Sequence, residues 1–164
     1  MMQAPKQIEP TRLADYLEVM TKAVFQSGMS WQVVEAKWDG FREAFAAFDP
    51  ATVAAFTGDD VDRLAENTRI IRNRRKIEAT ITNAETMLAL DGGTGGFTGW
   101  LRSQADFEAT VAALRGEFRF LGDTGAYFFL YVVGERVPPH EEWTRTHGST
   151  AHRASASRTA RKSR

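Results

Sequence analysis

The sequence predicts an all-α fold, and three features of its 164 residues indicate this. Apolar residues recur at intervals of three and four, which is the period of a helix that is buried on one face. Capping residues precede these segments, and glycine or proline often follows them. With 43% hydrophobic residues, the chain can bury a core of its own. We therefore expect one domain built mostly of short helices.

The first two helices are predicted between residues 11 and 48. Thr11 is expected to cap a helix that Gly28 ends in a left-handed conformation. Ser30 is expected to cap the second helix, which the spacing predicts to run through Phe48. Its apolar stripe, spaced by three or four residues, consists of Trp31, Val34, Trp38, Phe41, Phe45 and Phe48.

Shorter elements follow in the second half. Asp49 and Pro50 are typical of a helix start, and that helix is expected to reach Phe56. Another helix is predicted from Asp59 or Asp60, and a longer one contains Ile77, Ile81, Ala84 and Leu88. Residues 91–96 (DGGTGG) lack the Lys-Ser/Thr pair of a phosphate loop and are interpreted as a flexible connection. Later helices are expected around Trp100, over residues 106–115 and over residues 124–133.

Composition divides the chain into three parts. We predict an N-terminal arm over residues 1–10, a helical domain over residues 11–143 and a basic, disordered tail over residues 144–164. The whole chain is neutral and the tail holds six cations and no acid, so residues 1–142 carry a net charge of −6. An acidic body is unfavourable for tight nonspecific DNA binding by the body alone.

The residue types also exclude several kinds of chemistry. The absence of cysteine excludes disulfides, thiolate zinc sites and cysteine nucleophiles. The histidines, His140, His147 and His152, lie in or near the tail, so we expect no metal and no other cofactor. No apolar run approaches the ~20 residues that span a membrane, and we expect a cytoplasmic protein without membrane contact.

Two segments have both a structural and a functional interpretation. Residues 26–31 (QSGMSW) form a helix–glycine–helix junction in which Met29 and Trp31 would ordinarily be core residues. Residues 69–76 (RIIRNRRK) hold five cations, typical either of a solvated helix start or of phosphate contacts. Cations at a helix N-terminus oppose the macrodipole, and this local cost favours a functional reason.

A third segment, residues 120–126 (FLGDTGA), joins two predicted helices by a tight turn. A helix–hairpin–helix element needs a glycine turn so that backbone N–H groups can approach a phosphate, and a small residue for close helix packing. Gly122, Gly125 and Ala126 satisfy these needs, although Phe120 stands where the usual element has a further glycine.

Together these segments resemble the bacterial DNA-3-methyladenine glycosylase I family, within the helix–hairpin–helix glycosylases. Residues 26–31 match its pattern Q-x-G-[LM]-S-W, and residues 45–50 match F-x-x-F-D-P. Residues 60–64 match D-V-x-R-L, residues 70–77 match I-I-R-[HN]-x-x-K-I, and residues 118–124 match F-[KR]-F-[VL]-G-x-T. Since the motifs occur in the family's order, the resemblance is specific.

The resemblance implies a helix–hairpin–helix DNA glycosylase-like domain that removes alkylated purines such as 3-methyladenine in base-excision repair. The expected partner is damaged double-stranded DNA, bound by a monomer, with the target base flipped into a pocket. By the same resemblance, Trp31 lies against the flipped base, and Met29, beside Gly28, fills the vacated stack. The other expected DNA contacts are Arg72, Arg75, Gly122, Thr124 and Gly125.

The chain also departs from the family pattern. The family's base-recognising glutamate is replaced by Ala23, and Gln26, three residues further on, is placed to supply the missing acceptor. The zinc-binding residues lack counterparts, because no cysteine follows His140, and no residue is assigned as catalytic acid or base. Two alternatives to an active hydrolase are a catalytically impaired, damage-sensing DNA-binding module and a helical scaffold for a protein partner.

Overall fold

The computed structural model describes residues 5–143, and the predicted all-α fold is confirmed because these residues contain helices and no strand. The bounds are α1 Leu13–Gln26, α2 Trp31–Ala36, α3 Trp38–Ala44, a short turn Ala46–Phe48, α4 Pro50–Ala54, α5 Gly58–Ala65, α6 Arg74–Asp91, α7 Gly96–Arg102, α8 Phe107–Glu117, α9 Asp123–Val132 and α10 His140–Trp143. Their apolar faces enclose one aromatic-rich core.

The start of α1 differs by one residue from the prediction. Arg12, not Thr11, occupies the cap position, since the Asp15 carboxylate reaches back to accept both backbone N–H groups, at 2.9 Å from Thr11 and 3.1 Å from Arg12. The predicted end is confirmed, because Gly28 follows the helix with φ +73°. This left-handed glycine turns the chain sharply towards α2.

The predicted continuous helix over residues 30–48 is wrong. It breaks at Lys37, between α2 and α3, and ends in the left-handed turn Ala46–Phe48, where φ is between +53° and +60°. The turn directs Phe48 back onto Trp38, with ring centroids 5.3 Å apart and planes 7° apart. The apolar spacing survives the break because the same face still points into the core.

The caps of the next two helices follow the sequence in part. Asp49 caps α4 by accepting from the backbone N–H of Thr52 at 3.0 Å, with Pro50 at the first helical position, as predicted. This helix ends at Ala54, two residues before its predicted end. Thr57 caps α5 instead of Asp59 or Asp60, because its hydroxyl accepts from a first-turn N–H group.

The longest helix, α6, lies against α1, α4, α5 and α7 and so occupies the middle of the fold. Its apolar face is buried at Ile77, Ile81, Ala84 and Met87. Asn73 caps its start by accepting from the backbone N–H of Lys76 at 3.1 Å. Because α6 is central, side chains along it can reach loops on either side.

The glycine-rich segment after α6 is a closed turn. The Asp91 carboxylate accepts from the backbone N–H of Phe97 at 2.9 Å, and Gly95 and Gly96 have φ of +79° and +69°. Aspartate therefore occupies the N-terminus of α7, where a phosphate would otherwise bind.

The boundaries of the helical domain at residues 11 and 143 stay a prediction. Within residues 5–10, the backbone N–H of Ile8 donates to Val132 of α9 at 2.8 Å, which fixes this part of the predicted arm. The predicted tail over residues 144–164 lies outside the described residues. Across residues 5–143, no helix has both the length and the apolar character needed to cross a membrane.

Candidate nucleic-acid interface

The turn between α1 and α2 presents two large apolar side chains to solvent. Met29 and Trp31 are 40% and 44% exposed, so the interpretation of both as core residues is wrong. Gly28 has open space around the place where a Cβ would stand, and its left-handed φ is one that other residues rarely adopt. The turn thus displays an apolar tip that the fold itself does not bury.

The Lys76 side chain fixes the backbone of this turn through two hydrogen bonds. Its ammonium donates to the backbone oxygen of Phe25 at 3.2 Å and to that of Ser27 at 2.5 Å, at the C-terminus of α1. These carbonyls lack helical partners, and the negative end of the helix dipole also favours a cation at this position. The side chain is 5% exposed, and burial lowers the pKa of Lys76 from its ordinary value.

The segment between α8 and α9, residues 118–122, forms the second loop of the interface and is called the hairpin below. Phe118 and Leu121 point into the core, whereas Phe120 is exposed and has φ +57°. That left-handed φ is the physical reason why the usual element carries glycine here. The guanidinium carbon of Arg75 lies 5.7 Å from the centre of the Phe120 ring, so α6 approaches this loop as well.

Asn83 fixes the same loop to α6, and our sequence reasoning missed this role. Its amide nitrogen donates to the backbone oxygen of Arg119 at 3.2 Å, and its amide oxygen accepts from the Arg119 N–H at 2.8 Å. The side chain is buried. The available signal was a polar amide on the apolar face of a helix, between Ile81 and Ala84, since buried amides need specific partners.

The predicted glycines of the hairpin have two different surroundings. A Cβ on Gly122 would meet nothing within 4 Å, so the backbone at the start of α9 is open to a ligand. A Cβ on Gly125 would lie 3.2 Å from Leu121 and 3.7 Å from the Cβ of Ala23. Gly125 therefore permits α9 to pack closely on α1, while Thr124 stays exposed at the surface.

Ala23 and Gln26, the residues predicted at the base pocket, lie one helical turn apart on α1. Ala23 is buried against α9. The amide nitrogen of Gln26 is buried and has no hydrogen-bond partner among the described residues. A buried donor without a partner is costly, and this one is free to bind a ligand that enters beside it.

The two loops border one open groove of about 620 Å³. Ser27 contributes from the first turn, and Phe118, Phe120 and Gly122 contribute from the hairpin. Arg115 of α8 completes one wall and pairs with Asp123 at 2.8 Å. The structure thus brings together segments that are about 95 positions apart in the sequence.

The five cations of residues 69–76 divide into distinct roles. Arg69 pairs with Glu43, Arg74 pairs with Asp62 at 2.6 Å, and Lys76 is buried. The remaining two are exposed and form no ion pair within residues 5–143; they are Arg72 and Arg75. These are the cations that the sequence predicted to contact DNA, and that role stays a prediction.

Metal ligands were not expected from the sequence. Across residues 5–143, no group of three or more His, Asp or Glu side chains is placed to hold a metal ion. His147 and His152 lie outside the described part of the chain. The expectation that the protein binds no metal stays a prediction.

Comparison with known proteins identifies the family. A family model described as methyladenine glycosylase matches residues 12–117. A DNA-3-methyladenine glycosylase from Haemophilus influenzae is 30% identical in an alignment 130 positions long, which covers 66% of this chain and 70% of that protein. DNA-3-methyladenine glycosylase 1 from Escherichia coli is 31% identical over 130 residues, with the same two coverages. The chain belongs to the methyladenine glycosylase family.

The fold agrees with this assignment. A crystal structure of 3-methyladenine DNA glycosylase I superposes with a TM-score of 0.68 at 31% identity, covering 77% of this chain and 81% of that chain. The predicted family resemblance and fold class are confirmed. The family match ends at residue 117, just before the hairpin, so the hairpin's contribution depends on its own geometry.

Proposed function

We propose that this protein is a base-excision repair N-glycosylase that flips alkylated purines such as 3-methyladenine out of damaged double-stranded DNA and hydrolyses their glycosidic bond. The observation that carries the proposal is the meeting of two loops at one groove, which Ser27 of the first turn and the hairpin both line, with Arg75 of α6 lying over the Phe120 ring of the hairpin. The names of the two relatives support the substrate class. The protein acts as a monomer in the cytoplasm and needs no cofactor.

The DNA backbone lies along the hairpin and the start of α6. The open space at Gly122 lets a phosphate approach the first N–H groups of α9, where the helix dipole favours negative charge. Arg72 and Arg75 supply positive charge and form no ion pair within residues 5–143 that must first be broken. Such contacts position the duplex and carry no sequence information.

The exposed tip of the first turn provides the apolar contacts. Met29 enters the base stack in place of the flipped nucleotide, which offsets part of the cost of unstacking. Trp31 stacks on the flipped base, and its ring favours a cationic purine over a neutral one. Because 3-methyladenine is cationic and already a good leaving group, its removal needs less general-acid help than removal of a neutral base.

Base recognition differs from the family pattern because Ala23 has no side-chain acceptor. A base N–H left without an acceptor in a dry pocket costs roughly 1–3 kcal/mol, which is about one to two decades in rate. The Gln26 amide lies one helical turn further along α1 with its nitrogen unpaired, and rotating it by half a turn exchanges its nitrogen for its oxygen. Activity is therefore confined to cationic, self-activated lesions.

The test compares excision of 3-methyladenine by the wild type and three variants. Ala23→Glu is expected to raise excision, and Trp31→Ala is expected to abolish it. Val33→Ala is the matched control, because Val33 is equally exposed on α2 and has no assigned contact with the base. Thermal melting of each variant is measured alongside, since a glutamate at position 23 must fit between α1 and α9.

The replacement of the family glutamate by Ala23 also favours a second candidate, a damage-sensing DNA-binding module without catalysis. Binding to abasic DNA, measured beside excision, separates the two. If the wild type binds abasic DNA while neither it nor Ala23→Glu releases a base, the enzyme proposal fails and the binding module replaces it. Salt-independent association would instead indicate a scaffold for a protein partner.

A further inference from the structure

We infer that Lys76 is a positioning residue that holds the 27–31 turn in the conformation with which Met29 enters DNA. The inference rests on the proposed function for its DNA step, but the contact between Lys76 and the turn is independent of it. Lys76 does not itself line the groove, and it acts through the backbone oxygens of Phe25 and Ser27.

The contact lies where the direction of the turn is decided. Lys76 binds the backbone oxygen of Ser27, and the next residue is Gly28, whose φ of +73° sends the chain outwards. The N–H of Met29 then donates to the oxygen of Gln26 at 3.0 Å, which closes the turn. A small rotation at Ser27 would therefore swing the Met29 side chain.

The N-terminal end of α6, which carries Lys76, also carries the candidate DNA contact Arg75. Arg75, the neighbour of Lys76 in the sequence, is exposed and lies over the Phe120 ring, whereas Lys76 points inwards. Asn73 fixes the helix start through the N–H of Lys76. Arg75 and Lys76, which are consecutive in the sequence, thus connect a candidate phosphate contact to the turn that carries Met29.

A buried ammonium is a costly way to fill this space. No carboxylate pairs with Lys76 among residues 5–143, and burial lowers its pKa. An apolar side chain of similar length would avoid that desolvation cost but would leave the oxygens of Phe25 and Ser27 without this donor. What the ammonium provides is therefore a fixed backbone geometry at the end of α1.

The experiment compares the full-length wild type with Lys76→Met, which keeps the length of the side chain and removes the ammonium. Lys37→Met is the matched control, because Lys37 also donates to one backbone oxygen, that of Thr68 at 2.9 Å, and does not line the groove. Lys76→Gln, which keeps an N–H donor, is measured in the same way and serves if Lys76→Met does not fold.

The first readout is the ratio of affinities for a duplex with an abasic site and an intact duplex. Unfolded protein lowers both apparent affinities alike, so a purely structural role does not change the ratio. We expect the ratio to fall about tenfold in Lys76→Met, through loss of abasic binding, and to stay within about twofold in Lys37→Met. An unchanged ratio in folded Lys76 variants overturns the inference.

The second readout needs no DNA. Hydrogen exchange at the Met29 amide is expected to quicken in Lys76→Met and to keep its wild-type rate in Lys37→Met, while exchange in α9 stays unchanged. If the wild type shows no preference for abasic DNA, the proposed function fails, and the exchange rate alone decides whether Lys76 holds the turn. An unchanged rate at Met29 would overturn that role too.

Discussion

The side-chain amide of Asn83 pairs with both backbone polar groups of Arg119, donating to its oxygen at 3.2 Å and accepting from its N–H at 2.8 Å. This reciprocal pair ties the hairpin to α6 at a distance of 36 positions in the sequence. Because Asn83 is buried, water cannot readily replace it. The amide therefore attaches the hairpin to α6 through its backbone, in addition to the burial of Phe118 and Leu121 in the core.

Asn83→Ala is expected to lower the free energy of unfolding by about 1–3 kcal/mol, because both Arg119 groups lose their partner. DNA affinity is expected to fall as well, since the hairpin loses its attachment. Urea denaturation and duplex binding measure the two effects. Asn67→Ala is the control, as Asn67 accepts one hydrogen bond from the Arg69 N–H at the surface. Equal losses in both variants would contradict the assigned role.

Gly40 permits the closest backbone approach in the described part of the chain. A Cβ there would overlap the backbone oxygen of Arg69, so Gly40→Ala must push α3 away from the segment before α6. We expect a loss of about 1–3 kcal/mol in unfolding free energy, measured by denaturation. Gly58→Ala is the control, because its Cβ would meet nothing within 4 Å. A Gly40→Ala protein as stable as this control would refute the steric argument.

Charge reversal at Arg75 tests the electrostatic part of the interface. Arg75→Glu is expected to weaken binding to all duplex sequences about equally and to reduce the salt dependence by roughly one phosphate contact. Arg74→Glu should have a smaller effect, because Arg74 is already paired with Asp62. The chain should end after Trp143, so that the six cations beyond it do not bind DNA themselves. Indistinguishable effects of the two reversals would argue against Arg75 as a contact.

The cap of α4 predicts a dependence on pH. The hydroxyl of Thr52, followed by its backbone N–H, lowers the pKa of Asp49 from its ordinary value of 3.8. A pKa lowered in the folded state gives stability that is present above pH 3.8 and is lost as the pH falls through the folded pKa. The ionised cap thus stabilises the protein at neutral pH.

Asp49→Ala is therefore expected to lower the melting temperature at pH 7, and the difference from wild type should disappear on acidification below about pH 4. Thr52→Val removes the hydroxyl and keeps the N–H, so the folded pKa of Asp49 should move back towards 3.8, and the acid-induced loss of stability should be smaller and complete at a higher pH than in wild type. Thermal melts between pH 2 and 7 measure both. A difference that is constant across this range would show that the charge of Asp49 does not matter.

Much of the local structure was predictable, because it depends on neighbouring residues. The left-handed end at Gly28, the Asp49 cap and the apolar face of α6 all follow from short-range rules. The sequence also singled out the three segments of the interface. That the first turn and the hairpin border one groove, with Arg75 against Phe120, depends on packing between distant helices, which periodicity does not describe.

The missed features share a physical cause. Lys76 looked like one of five surface cations, and only the fold shows that the other four are exposed while Lys76 is buried. Asn83 required knowledge of the loop opposite it. The break at Lys37 was hidden because the apolar spacing continues across it. For Lys76 and Asn83 the deciding contact joins residues far apart in the chain.

The left-handed turn Ala46–Phe48 bears on the order in which the protein folds. Left-handed φ costs roughly 1–2 kcal/mol at each non-glycine residue, and this turn has three in succession without a glycine. Stacking of Phe48 on Trp38 and Phe45 offsets that cost only once these rings have met. The bend therefore depends on the ring of Trp38 at the start of α3, and a peptide of residues 45–56, which lacks this ring, would not keep it.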